Sequence, residues 1–89
     1  MAKPEKILAK MRESPKNVRY SEVYSVCVEF FGLPRQTGGS HAVFKTPWVG
    51  DPRINIQADP NGGCKMYQLK QVIAAIDKLQ EMQAEEDDQ

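Results

Sequence analysis

The chain has 89 residues, 40% of them hydrophobic, with 12 basic and 12 acidic side chains. A chain of that size makes one domain with a modest core, burying about 60–65% of its unfolded surface, and no apolar run approaches the roughly 20 residues that cross a bilayer. Four of the acidic residues (Glu85, Glu86, Asp87 and Asp88) crowd the C-terminal end, so the rest of the chain is a mildly basic body of +4, too weakly charged to imply nucleic-acid binding by itself.

The first predicted element is a helix over residues 4–13, with Pro4 at a first helical position and Ile7, Leu8 and Met11 on one side. Its apolar stripe is narrow, so residues 1–16 are expected to form an accessory helix that frays easily. Ser14 and Pro15 break it. A stronger helix is predicted over 21–31, with Ser21 as N-cap and Val23, Cys27, Phe30 and Phe31 at helical spacing; Tyr20, Tyr24 and Val26 widen the stripe. Gly32 suits a left-handed C-terminal cap and Pro34 prevents the helix from resuming. Three short strands follow: 35–37 as an edge, 40–46, and 53–58, with Gly38 and Gly39 as a two-residue hairpin turn. Trp48 lies in the loop between the last two and reads as a flap over the core rather than a platform for stacking a base. Residues 59–63 form a dense turn cluster; Gly62 and Gly63 lack the pattern of a phosphate loop. A final helix over 67–82 carries Leu69, Val72, Ile73, Ile76, Leu79 and Met82, and residues 84–89 are its frayed acidic tail.

The whole chain, 1–89, therefore reads as one α+β domain: a small three-stranded antiparallel sheet with helices packed on one face. Cys27 and Cys64 are predicted to be free thiols, and one histidine with no Cys-x-x-Cys pair leaves a zinc site without ligands. No metal or cofactor is predicted. The first residues carry no hydrophobic signal segment, which predicts a cytoplasmic chain with no membrane partner.

Strand alternation then has a consequence for function. Ile54, Ile56 and Ala58 should face the helices, which leaves Arg53, Asn55 and Gln57 outward. Taking Phe44 rather than Val43 as the inward residue of the preceding strand puts His41, Val43 and Lys45 outward as well. One sheet face then gathers His41, Lys45, Arg53, Asn55 and Gln57: a histidine, two cations and two amides, which suits a phosphate-bearing partner. An antiparallel sheet covered by helices on one side also shows polar residues to water on the other, so alternation alone is equally the pattern of plain solvation.

Gly39, Ser40 and His41 opening a strand resemble the motif of the HicA toxins of type II toxin–antitoxin systems. Asn17 to Glu22 entering a helix, Phe31-Gly32-Leu33 closing it, Asn55-Ile56-Gln57 in the third strand and Tyr67 to Val72 opening the last helix are similar to the subgroup with an extra N-terminal helix. The resemblance covers roughly residues 5–80. It implies a double-stranded-RNA-binding-like fold (αβββα) and an endoribonuclease that cleaves mRNA with His41 as its catalytic residue. It also implies that Gly39 and Ser40 expose that histidine, and that a HicB-type antitoxin protein masks it. Where the family commonly carries a second histidine, this chain has Ala42. On this reading a ribose 2′-OH attacks the adjacent phosphate, with no metal required by the residues available. His41 exchanges the proton. Lys45 and Arg53 neutralise the phosphate, backbone N–H groups of Gly38 to Ser40 add donors, and Asn55 and Gln57 position sugar or base. The second proton carrier is open among Ser40, Lys45, a tyrosine and water. The rival expectation is a non-catalytic module of the same fold that binds RNA or protein.

Overall fold

Three apolar side chains decide where the first helix goes. In the computed structural model, which describes residues 3–38 and 41–87, α1 spans Pro4–Glu13, as its sequence predicts. Proline at the start sacrifices no helical bond. At the other end the Ser14 N–H bonds to the Lys10 carbonyl at 2.7 Å before a single 3-10 turn, Pro15–Asn17, redirects the chain. Ile7, Leu8 and Met11 are all buried, in the same cluster as the rest of the core. Because α1 lies against both other helices, its narrow stripe is covered on two sides, and it is a core element rather than an accessory.

Helix α2 is Tyr20–Phe31. Its N-cap is Arg19, not the predicted Ser21, which lies inside the first turn. A tertiary bond sets this start: the Tyr20 N–H donates to the Gly62 carbonyl at 2.9 Å, which draws the helix entrance onto the turn before the last helix. Glu22 completes the entrance by accepting the Arg19 N–H at 3.0 Å, the half of a capping box that needs a carboxylate. At the far end Gly32 has φ +85° and its N–H reaches the Val28 carbonyl at 2.9 Å, a left-handed stop that side chains disfavour.

Strands β1 (Gln36–Gly38), β2 (His41–Phe44) and β3 (Ile54–Gln57) pair antiparallel in that order. Gly38 closes β1 as the partner of His41, so it does not form the turn predicted for Gly38 and Gly39; Gly39 itself and Ser40 lie outside the described residues. Both β2 and β3 are shorter than predicted. The segment between them is organised by Trp48, whose Nε1–H donates to the Pro52 carbonyl at 2.9 Å while Thr46 Oγ1 donates to the Trp48 carbonyl at 3.2 Å. The indole meets Phe31 edge-on, centroids 6.1 Å apart, and Lys78 Nζ lies 4.8 Å from its ring centre. Trp48 is thus the flap its loop position predicts.

Helix α3, Met66–Asp87, continues past the predicted end at 82. Glu85 and Glu86 are helical and exposed, so the helix takes in the part of the predicted tail that is described, up to Asp87. Ala42 and Phe44 of β2 and Ile54 and Ile56 of β3 are buried with Val23, Val26 and Cys27 of α2 and Leu69, Val72, Ala75 and Ile76 of α3. The molecule is α+β, as its sequence predicts, with the core between sheet and helices. Among the described residues no helix is long and apolar enough to cross a membrane.

Candidate functional site

The period-2 geometry of β2 and β3 sorts side chains cleanly. Burial alternates along both strands: Ala42, Phe44, Ile54 and Ile56 point inward, while His41 and Asn55 are exposed. The choice of Phe44 over Val43 as the inward residue is the one the fold makes. His41 faces Gln57 in register, and Asn55 sits two residues earlier on β3, opposite Val43. Diagonal neighbours on one sheet face are within reach of long or aromatic side chains, and His41 Nε2 hydrogen-bonds Asn55 Oδ1. With the amide oxygen accepting, Nε2 carries the proton and Nδ1 keeps a lone pair available to solvent. Among the described residues no carboxylate pairs with this imidazole.

Lys45 and Arg53 stand just beyond the ends of β2 and β3, both exposed. Together with Asn55, Arg35, Tyr67 and Gln71 they line an open groove of about 770 Å³. Asn55 links the two features, since it touches His41 and also lines the groove. Asp51 is the one carboxylate on its wall. Lys45, Arg53 and Arg35 make no ion pair among the described residues, so the groove lining carries three cations against one carboxylate. Gln57, directly opposite His41 in the register, is half-buried, and its backbone N–H donates to Gln68 Oε1 at 2.8 Å. The predicted set therefore divides into His41 with Asn55 and Gln57 at one end of the sheet and a cationic groove that Asn55 joins to it. Gly39 and Ser40 lie outside the described residues.

Position 42 sits in the core. Ala42 is fully buried opposite Ile56, so the residue after His41 points away from the exposed face whatever its identity. Several residues of the site are not singled out by the sequence. Arg35 reads there only as part of an edge strand; Tyr67 opens α3 but lies off its apolar stripe, which is the signal that marks it as outward. Gln68 is only 4% exposed, and its side chain satisfies an N–H on the outer edge of β3 that would otherwise lack a partner.

Other candidates are spent on structure. The Gly63 N–H donates to Asn61 Oδ1 at 3.0 Å and the Gly62 N–H to the Asp59 carbonyl at 2.9 Å, which makes this segment a turn. Burial pushes the Cys27 thiol well above its ordinary range and also raises that of the half-buried Cys64. A thiol held protonated is a poor nucleophile, so neither sulfur competes with His41. No protein-family model matches the chain, and comparison with curated proteins and with solved structures finds none that matches.

Proposed function

We propose that the chain is an endoribonuclease of the HicA toxin type, cleaving mRNA with His41 as its only catalytic histidine. The observation that carries this reading is the exposed imidazole held by Asn55, which also lines a groove with three cations and one carboxylate among the described residues. On this reading the order α2-β1-β2-β3-α3 is the double-stranded-RNA-binding-like arrangement, with α1 added in front. Nδ1 of His41 takes the proton of a ribose 2′-OH as that oxygen attacks the adjacent phosphorus. The bond to the 5′-oxygen breaks, and the leaving oxygen takes a proton from solvent, which the open site admits. Proton transfer of this kind contributes about 10²–10⁴-fold. Lys45 and Arg53 stand four residues along their strands from the His41–Gln57 pair, roughly 13 Å at the rise of a strand, so on this reading they hold the RNA by a phosphate adjoining the one that is cleaved. A HicB-type antitoxin is the partner that would cover the sheet face and its histidine.

The test is expression of wild type and His41→Ala with cellular RNA integrity and growth followed together. The expected result is a folded His41→Ala protein that neither cleaves RNA nor arrests growth. Cleavage by that variant at the wild-type rate overturns the assignment. Binding of RNA without cleavage by the wild-type chain favours the non-catalytic module instead.

A further inference from the structure

The groove beside His41 has features that phosphate binding alone does not use. Its volume, about 770 Å³, falls in the range of small-ligand sites. On its wall stands Tyr67, 60% exposed at the first turn of α3, and Val49 adds a fully exposed apolar side chain. Tyr67 is steadied from behind, because Gln68, locked to β3 through the Gln57 N–H, donates to the Tyr67 hydroxyl at 3.4 Å. Gln71, one turn further along α3, supplies an amide with donor and acceptor. An aromatic ring, an amide and cations converging on one concavity match the three parts of a nucleotide: base face, base edge and phosphate. A base reaches such a ring only when it is unpaired and splayed out.

We propose that this groove is a subsite for one unpaired ribonucleotide adjoining the cleaved phosphate, with its base stacked on Tyr67 and its phosphate held by Lys45, Arg53 and Arg35. This rests on the ribonuclease reading and adds the substrate's form: single-stranded RNA, read by stacking, with Gln71 at the base edge. Stacking tolerates every base, so selectivity at this position comes from Gln71.

The experiment measures binding of a short, labelled single-stranded RNA oligonucleotide to the full chain carrying His41→Ala, which removes turnover. Adding Tyr67→Ala is expected to weaken binding roughly 5- to 150-fold, the equivalent of about 1–3 kcal/mol per stacked base, whereas Tyr67→Phe keeps the affinity. An RNA duplex of the same sequence is expected to compete poorly. Equal affinity of the Tyr67→Ala and parent proteins overturns the subsite, and so does a duplex that competes as well as the single strand. If the otherwise wild-type chain with Tyr67→Ala cleaves RNA at unchanged KM, the subsite falls and the ribonuclease reading stands. If the unaltered chain neither binds nor cleaves RNA, both fall.

Discussion

At the scale of single residues, the hydrogen bond from His41 to Asn55 does what a carboxylate does in many histidine sites, without the charge. A neutral acceptor fixes the ring's orientation and which nitrogen faces solvent. Replacing it with Asn55→Asp sets a negative charge against the same nitrogen, which favours the protonated ring. The acid limb of the pH–rate profile is therefore expected to move to higher pH in Asn55→Asp, while Asn55→Ala lowers kcat with a smaller effect on that limb. Profiles of cleavage rate against pH for the three proteins check this, and superimposable limbs for wild type and Asn55→Asp remove Asn55 from the proton step. Ala42 belongs to the same scale. Its burial opposite Ile56 means that its small size answers to packing under the helices, and the proton chemistry of the exposed face has to be completed by residues other than position 42.

At the scale of elements, core packing and ion pairs tie α1 to the other helices. Met11 is almost fully buried in the common core, so Met11→Ala is expected to cost about 2–5 kcal/mol, measured from denaturant unfolding midpoints. A value under about 0.5 kcal/mol, the range of surface substitutions, would restore α1 to the accessory role its narrow stripe implies. Lys10 Nζ lies 3.2 Å from Glu22 Oε1, between α1 and α2, whereas the Arg12–Asp77 pair between α1 and α3 is exposed and worth little. The Arg19 N–H, and secondarily Lys10, hold the Glu22 carboxyl below its usual range against the opposing pull of burial. A carboxyl depressed in the folded state stabilises fully above its unfolded value near ~4.3, and that stabilisation is lost as pH falls through the folded value. Glu22→Gln is accordingly expected to be less stable than wild type by about 0.5–1 kcal/mol at neutral pH, with the gap closing on acidification below ~4.3. Paired urea titrations across that range check it; a gap independent of pH would mean that the carboxylate charge contributes nothing.

At the scale of the molecule, what could be read from the sequence was what depends on local periodicity. Ile54 and Ile56 announce their inward face by alternation, Ala42 and Phe44 do so once Phe44 is chosen over Val43, and Gly32 with Pro34 announces the end of α2, because each signal lies within a few residues. What depends on contacts between distant segments was not legible. The start of α2 is set by Gly62, far along the chain from Tyr20, through one backbone bond. Gln68 lies outside the apolar stripe predicted for the last helix, yet it is buried and accepts the Gln57 N–H at the edge of β3. The groove draws on the segment before β1, the loop around Arg53 and the first turns of α3, and no window of the sequence contains all three. His41 and Asn55 could be placed on one face in advance; that they touch is a property of the β2–β3 register.

The length of α3 separates charge along the helix. Tyr67 and the cationic groove stand at its beginning, and Glu85 and Glu86 lie some 27 Å further on at about 1.5 Å per residue. The helix's own dipole points the same way, positive toward the groove and negative toward the tail. A chain with formal net charge +0 thus keeps a group of cations near one end of α3 and two carboxylates near the other, an arrangement that the field of an approaching polyanion acts on unevenly. On the ribonuclease reading it meets RNA groove-first, with its acidic end trailing, and that alignment fades once salt shortens the reach of the field below the length of the helix.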